Sequence, residues 1–255
     1  MTSRAGAKIF IVGAGPGDPS LMTLRAAALV AGADDLVVDA LVPAAIYRQS
    51  NARVVYVGKR SGRPSISQRD IETILIELAV AGRRVVRLHG GDPSVFGRAG
   101  EEVRALEEAG IDYEIVPGVS SALAAPLALG ISVTERDVAD RVVILTGHRS
   151  GLENEMPELP AYDPGQTIVL LMALGNVEAL VESALEQGYP PDLPAVAIAN
   201  ATLPQQRYVA SELALLPALV AEQRLETPAT LVWGFAAERV LDQAVGRTAV
   251  ADRPA

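Results

Sequence analysis

Two glycine-rich turns dominate the part of the sequence that could do chemistry. Residues 13–19 read GAGPGDP and residues 89–93 read HGGDP, and each turn follows a short apolar run. Glycine at such a position lets backbone amides approach a ligand closely, because no Cβ stands in the way. Strands of one parallel sheet share a carboxyl edge, where open α/β sheets bind ligands. Either turn alone would be explained as structural, but the two together predict one ligand site.

Charged residues follow the second turn at helical spacing. Arg98 and Glu101 are three residues apart in VFGRAGEE, so on a helix they share a face and Glu101 can orient the guanidinium. An arginine fork suits carboxylate ligands, but the same pair could also be a solvated ion pair worth well under about 1 kcal/mol. Glu102 lies on a different face of this helix, and we interpret it as a surface residue.

A dinucleotide site is the first alternative for GAGPGDP. The dinucleotide fingerprint requires glycine where this chain has Asp18, and Pro16 and Pro19 stiffen the turn and remove two amide donors. Asp39, after the second predicted strand, does lie about where a ribose-binding acid is expected. On the pattern alone, NAD or FAD binding and a purely structural turn both stay open.

The elements that must position these residues alternate between β-rich runs and helical segments, which is typical of parallel sheets covered by helices. The predicted strands are KIFIV, DLVV, RVVYV, RVVRL and YEIV, then RVVILT, TIVLLM, AVAIA, QRYVA and ATLVWGF. The clearest helix, SQRDIETILIELAVAG, opens on Ser67, and PGVSSALAAPLALG predicts a helix of small residues that joins two lobes. We therefore predict an α/β protein with lobes at residues 1–118 and 119–255.

Composition excludes several functional classes. The chain has 255 residues, of which 49% are hydrophobic, and this is ample for a buried core. Its formal net charge of -9 argues against a nucleic-acid or anionic-membrane surface. Without cysteine and with only two histidines, we expect no disulfide and no metal centre. The sequence shows neither the apolar core of a secretory leader nor a membrane span, so we expect a cytoplasmic protein.

Several motifs in order resemble the tetrapyrrole methylase family. They are VGAGPGDPSLMTLRAAALVAGADDLVVDALV, VYVGKRSG, RVVRLHGGDPSVFGRAGEE, YEIVPGVSSALAAPLALGISVTERDVA and TGH. The match is dense from Lys8 to His148 and continues more thinly through LLMAL, NATLPQQR and TPATLVWG. Its most specific part is GGDPSVFGRAGEE, because other branches of the family carry different residues after GDP. This string resembles the branch that methylates uroporphyrinogen III.

The resemblance implies a reaction and an assembly. Two methyl groups would pass from two molecules of S-adenosylmethionine to adjacent rings of uroporphyrinogen III, giving precorrin-2 and S-adenosylhomocysteine, in sirohaem or cobalamin biosynthesis. The family's fold has two α/β lobes with the methyl donor in the cleft between them. Family members are usually homodimers, so we expect one here.

The resemblance also implies which residues act. Asp39 and Lys59 match the proton acceptor and the proton donor. Arg98, which we also count as catalytic, would face the tetrapyrrole together with Glu101 and Arg136. The donor-binding positions are Pro16, Gly90, Gly91, Asp92, Val95, Ser120, Ser121, Met172 and Ala201.

The chain departs from the family at several positions near the expected cleft. The family commonly has lysine at His89, histidine at Glu135, arginine at Ala40, and glycine at Ala99 and Ala201. These changes remove positive charge or fill space, so an altered tetrapyrrole substrate and a weaker methyltransferase are two consequences to test. A carboxylate beside His89 would let it carry the charge of the missing lysine. A sister methylase of a later precorrin, a nicotinamide-dependent oxidoreductase and a non-catalytic binding protein stay open as alternatives.

Overall fold

The structure, a computed structural model, describes residues 8–58, 66–147 and 156–251, and the chain divides into two compact units, Met1–Ser120 and Ser121–Ala255. The elements of the first unit are β1 Lys8–Gly13, α1 Leu24–Ala31, β2 Asp35–Val38, β3 Arg53–Tyr56, α2 Gln68–Val80, β4 Val85–His89, α3 Ala99–Glu108 and β5 Asp112–Val116. The five strands form a wholly parallel sheet in the order β3-β2-β4-β1-β5. All five predicted strands of this lobe are confirmed.

Helices cover both faces of the first sheet. Alternate residues of β1 point to opposite faces, so Phe10 and Val12 pack with α1, whereas Ile9 and Ile11 pack with α2 and α3. Helix α2 begins after Ser67, whose hydroxyl accepts from the backbone N–H of Asp70 while the Asp70 carboxylate accepts from the backbone N–H of Ser67. This capping box confirms the helix start that the sequence predicts.

The second unit contains α4 Ser121–Leu127, β6 Arg141–Thr146, β7 Gln166–Leu171, α5 Val177–Glu186, β8 Pro194–Ala199, β9 Arg207–Glu212, α6 Leu216–Glu222, β10 Ala229–Trp233 and α7 Glu238–Ala251. Its five strands are also the predicted ones, and they form a sheet in the order β6-β7-β10-β8-β9. Helices α5 and α6 pack on one face, and α4 and α7 pack on the other. Within the described residues, every helix is too short or too polar to cross a bilayer.

The expectation of a parallel sheet is wrong for this second unit. Among the described strands of this unit, only β6 and β7 pair in parallel, whereas β8 pairs antiparallel with both β9 and β10, and β10 pairs antiparallel with β7. The connection 200–206 explains the difference, because it turns back tightly, with Leu203 N–H donating to the carbonyl of Asn200. It contains no crossover helix, and a strand that returns without one must pair antiparallel.

Three glycines bring the carboxyl ends of neighbouring strands into backbone contact in the first unit. Gly13 ends β1, Gly91 follows β4, and Gly118 follows β5. A Cβ on Gly13 would lie 2.6 Å from both the backbone nitrogen of Gly118 and the carbonyl oxygen of Gly91. A Cβ on Gly118 would lie 2.3 Å from the same oxygen of Gly91. The contact therefore exists only because Gly13 and Gly118 lack side chains.

We expect Gly13→Ala to destabilise the protein by about 3 kcal/mol, because the added methyl meets backbone atoms on both sides and the sheet edge must open. Gly100→Ala is the matched control in the same unit. Its Cβ would meet only the end of the Arg104 side chain at 3.9 Å, so it should be neutral or stabilise α3 by about 0.5 kcal/mol. Urea unfolding measures both free energies, and equal values for the two variants would contradict the close contact.

Candidate functional site

The two glycine turns that the sequence singles out are hydrogen-bonded to each other. The N–H of Gly15 donates to the carbonyl of Gly91 at 3.1 Å, and the N–H of Gly91 donates to the carbonyl of Gly15 at 2.7 Å. The N–H of Ala14 donates to the carbonyl of His89 at 2.8 Å. Gly15 and Gly91 have φ values of +77° and +67°, which side chains disfavour. The prediction that both turns meet at one sheet edge is confirmed.

This edge presents main chain rather than side chains. A Cβ on Gly90 would lie 3.0 Å from the Cβ of Leu41, so the neighbouring loop already occupies the space that a side chain would need. Pro16 and Val95, which flank the two turns, are partly buried. A cradle of this kind fits a ligand that is held through backbone N–H and C=O groups, as the resemblance implies for the methyl donor.

Asp92 joins the second turn to the loop after β5. Its Oδ2 accepts from the backbone N–H of Gly118 at 2.9 Å, and its Oδ1 accepts from the backbone N–H of Ser94 at 2.8 Å. Partial burial raises the pKa of Asp92, but the hydrogen bonds from Ser94 and Gly118 and the nearby His89 outweigh burial, and the net pKa lies below its usual value. The side chain of Asp92 therefore fixes the shape of the turn.

Asp39 lies on the same edge, directly after β2. Its Oδ1 accepts from the backbone N–H of Ala40 at 2.6 Å, and its side chain is 40% exposed. A carboxylate with this exposure can reach both solvent and a ligand. Lys59, the predicted proton donor, and His148 lie outside the described residues.

Arg98 precedes α3 in a tight turn. Phe96 and Arg98 have φ values of 53° and 58°, and a Cβ on Gly97 would lie 2.5 Å from the carbonyl oxygen of Pro93. Non-glycine residues in the left-handed region are costly and often occur at functional sites. The turn therefore fixes the direction in which the side chain of Arg98 leaves the backbone.

The Arg98 fork pairs with Glu101, as the helical spacing predicts. Arg98 Nε donates to Glu101 Oε1 at 2.8 Å, and Nη2 donates to Oε2 at 2.7 Å. The hydrogen bond from Arg98 is the main reason that the pKa of Glu101 is lowered. The Arg98 side chain is 51% exposed, so a carboxylate ligand could approach the guanidinium from solvent.

Sequence reasoning was wrong about Glu102, which is fully buried instead of lying on the surface. Its Oε1 accepts from Arg87 Nε at 2.9 Å, and its Oε2 lies 2.9 Å from His89 Nε2. Burial raises the pKa of Glu102, but the hydrogen bond to His89 and the positive charge of Arg87 outweigh it, so the net pKa is lowered. The signal was available, because Ala99, Glu102 and Leu106 follow a 3,4 spacing and form the buried face of α3.

The remaining predicted residues belong to two different units. Ser120 is buried at the end of the first unit, and Ser121 is the first residue of α4 in the second. Arg136 is exposed in a tight loop that Glu135 and Ala139 close with a pair of backbone hydrogen bonds. A carboxylate could reach Arg136 in this loop, and its role stays a prediction.

Met172 and Ala201 lie at one edge of the second sheet. Strands β7 and β8 flank β10, and Met172 follows β7 while Ala201 follows Asn200 at the end of β8. Met172 has φ 54° and is 47% exposed. Asn200 has φ 50°, and its N–H donates to the carbonyl of Pro228 just before β10. Residues with positive φ therefore follow β7 and β8 at this edge, just as Gly15 and Gly91 do at the edge of the first sheet.

The family model described as "Tetrapyrrole (Corrin/Porphyrin) Methylases" matches residues 8–217. "Siroheme synthase 1" of Halorhodospira halophila is 44% identical over 89% of this chain, which covers 47% of that protein. The chloroplastic "S-adenosyl-L-methionine-dependent uroporphyrinogen III methyltransferase" of Arabidopsis thaliana is 39% identical over 90% of this chain and 63% of its own length. The chain thus spans about half the length of the siroheme synthases that it matches.

A solved structure matches the chain over almost its own full length. It is the uroporphyrin-III C-methyl transferase from Thermus thermophilus complexed with S-adenosylhomocysteine, which is 35% identical. The match covers 91% of this chain and 99% of that chain, with a TM-score of 0.77. The two-sheet α/β architecture is therefore the fold of that structure.

We expect Asp92→Asn to make the stability of the protein depend less on pH in the acid range. The folded-state pKa of Asp92 is lowered, so its carboxylate stabilises the protein above the unfolded value near pH 4, and this contribution is lost as pH falls through the lowered pKa. The variant should lose about 1 kcal/mol at pH 7 and show a smaller drop in Tm between pH 5 and about pH 2. Scanning calorimetry across this range measures it, and identical pH slopes in both proteins would contradict the assignment.

Proposed function

Because the chain belongs to the tetrapyrrole (corrin/porphyrin) methylases, we propose that it is an S-adenosylmethionine-dependent C-methyltransferase that converts uroporphyrinogen III into precorrin-2. The observation that carries the proposal is the hydrogen-bonded pair of glycine turns at one sheet edge, followed by the Arg98–Glu101 pair. The string GGDPSVFGRAGEE supplies all these groups except the first turn, and it favours the uroporphyrinogen III branch over a sister methylase.

The first unit would hold the methyl donor through its main chain. Pro16, Gly90, Gly91, Asp92 and Val95 all belong to the two turns or flank them. S-adenosylmethionine supplies a methyl group that its sulfonium already activates. The protein therefore needs to place the donor and exclude water, and it needs no nucleophilic side chain of its own. Ser120, Ser121, Met172 and Ala201 complete the proposed donor contacts.

Arginines would hold the tetrapyrrole, whose side chains are carboxylates. Arg98 offers a planar fork that suits bidentate carboxylate contacts, and Glu101 keeps this fork oriented in the free protein. Arg136 would add a second cation. A substrate carboxylate would compete with Glu101 for the guanidinium of Arg98. Once displaced, the carboxylate of Glu101 could accept hydrogen bonds from pyrrole N–H groups.

Asp39 would remove the proton that the ring system loses after methylation. Its carboxylate is half-exposed and lies at the same sheet edge as the donor turns, which are the conditions that a general base needs. Lys59 is the proposed proton donor. Since electron-rich pyrrole carbons attack the sulfonium methyl directly, acid–base assistance from such residues is sufficient.

A homodimer in the cytoplasm is the proposed assembly and location. Apolar side chains are exposed on the edge strand β5 and after it, at Ile115 and Val119, and further on at Leu123 and Leu127. Such residues are suited to an interface between two copies, although exposed apolar residues also occur on monomers.

The proposal is tested by incubating the purified protein with S-adenosylmethionine and uroporphyrinogen III and measuring the product mass. We expect a product with two added methyl groups and two equivalents of S-adenosylhomocysteine. Methylation of a later precorrin alone would instead identify a sister methylase. Consumption of a nicotinamide absorbance without methyl transfer would identify an oxidoreductase.

Arg98→Ala should lower kcat/KM for uroporphyrinogen III by about 10- to 100-fold, because a substrate carboxylate loses its partner in a partly desolvated site. Arg98→Lys should recover part of the loss, since it keeps the charge without the fork. The affinity for S-adenosylhomocysteine should not change. Stability should change by less than about 1 kcal/mol, because the pair with Glu101 is exposed.

Arg104→Ala is the control for this series, since Arg104 is an exposed arginine on the same helix. Steady-state kinetics and calorimetry separate the two roles. Normal turnover in Arg98→Ala would show that the arginine serves only its ion pair with Glu101.

A further inference from the structure

Glu102 is a buried carboxylate that neither the donor contacts nor the tetrapyrrole contacts explain. It projects from the first turn of α3 and receives hydrogen bonds from Arg87 and His89 on β4. Gln68 Nε2 adds a longer contact of 3.4 Å to Oε1. A charge with no solvent exposure is costly unless its partners compensate it, and Arg87 and His89 supply that compensation here.

Arg87 connects Glu102 to the proposed base. Its side chain is 3% exposed, its Nε donates to Glu102, and its Nη1 donates to the carbonyl of Leu88 at 3.2 Å. Its Nη2 lies 3.9 Å from Asp39 Oδ2. The guanidinium is thus held by Glu102 while it approaches Asp39 only at the limit of an ion pair. Without Glu102, Asp39 would be the nearest carboxylate available to this arginine.

His89 connects Glu102 to the second glycine turn, Gly90–Pro93. It is the last residue of β4, directly before Gly90, and its carbonyl accepts the N–H of Ala14 from the first turn. Glu102 is ionised and can only accept, so His89 Nε2 carries the hydrogen. His89 Nδ1 is buried and has no hydrogen-bond partner among the described residues. Glu102 therefore fixes the imidazole ring of His89, the residue whose backbone carbonyl accepts a hydrogen bond from the first glycine turn.

We infer that Glu102 is a positioning residue which holds Arg87 away from Asp39 and holds His89 at the start of the second glycine turn, Gly90–Pro93. The Arg87 branch rests on the proposed function, because it concerns Asp39 as the base. The His89 branch concerns donor affinity alone. Among the described residues, the charged or titratable groups facing this cluster are Arg87, His89 and Asp39. Asp92 lies nearby through its interaction with His89, and Arg98 and Glu101 interact electrostatically with Glu102 from the same turn and helix.

The chain contains a matched buried carboxylate that lacks these connections. Asp35 begins β2 at the opposite edge of the same sheet, is fully buried, and pairs with Arg53 and Arg83. Asp35→Asn therefore reports the purely structural cost of neutralising a buried carboxylate in this unit. Glu108→Gln, on the exposed end of α3, reports the cost of neutralising a surface carboxylate.

The experiment compares Glu102→Gln with these two controls in three measurements. They are Tm, calorimetric affinity for S-adenosylhomocysteine, and the pH profile of kcat for methyl transfer to uroporphyrinogen III. Both Glu102→Gln and Asp35→Asn should lower Tm, whereas Glu108→Gln should not. Only Glu102→Gln should weaken S-adenosylhomocysteine binding, by about tenfold.

The pH dependence of kcat should change in opposite directions in Glu102→Gln and Arg87→Lys. In Glu102→Gln, Arg87 loses its partner and closes on Asp39, which makes Asp39 a weaker base. We expect kcat to fall about tenfold and the acid limb to move to lower pH. In Arg87→Lys, the shorter ammonium stays with buried Glu102 and leaves Asp39, so the acid limb should move to higher pH. This second variant also keeps a cationic partner for Glu102, which serves the test if Glu102→Gln does not fold.

The outcomes separate the inference from the proposed function. If Glu102→Gln only lowers Tm as Asp35→Asn does, Glu102 is structural and the whole inference is overturned. If Arg87→Lys leaves the acid limb in place, the Arg87 branch is overturned. Full turnover in Asp39→Asn would instead refute the proposed base and the Arg87 branch with it. S-adenosylhomocysteine affinity then decides the His89 branch by itself, whichever tetrapyrrole the enzyme methylates.

Discussion

Backbone contact among Gly13, Gly91 and Gly118 determines the shape of the carboxyl edge of the first sheet. Gly13 ends β1, whereas Gly91 and Gly118 follow the neighbouring strands β4 and β5. Gly13 and Gly118 approach the other two more closely than a Cβ would permit. The reciprocal hydrogen bonds between Gly15 and Gly91 continue this contact beyond the strands. A surface built in this way offers main-chain donors and acceptors at fixed positions, which is what a site for a compact ligand requires.

Charged groups stabilise the two ends of this sheet in different ways. At the amino edge, the buried Asp35 at the start of β2 pairs with Arg53 at the start of β3 and with Arg83 just before β4. At the carboxyl edge, Glu102 balances Arg87 inside the protein, while Asp39 keeps part of its carboxylate in solvent. One edge therefore carries a cluster whose charges pair with one another. The other combines a closed cluster with an accessible carboxylate, and this is the arrangement expected of a site that moves a proton.

Much of the fold could be predicted from the sequence, because its local signals agree with one another. Strand runs, the Ser67 cap and the glycine turns depend on neighbouring residues, and all ten strands lie where the apolar runs place them. The pairing directions of the second sheet could not be read in the same way, because they depend on which strands meet in space. The burial of Glu102 was missed because it lies on a different helix face from the Arg98–Glu101 pair, and a charged side chain there was assumed to face solvent.

The central claim is that the glycine turns of the first unit form the methyl-donor site. A crystal structure of the protein with S-adenosylhomocysteine tests it most directly. We predict that the ligand makes hydrogen bonds with backbone atoms of Gly90–Asp92 and that the Gly15–Gly91 hydrogen bonds remain intact. A ligand bound elsewhere, or one that reaches this edge only after these hydrogen bonds break, would contradict the account.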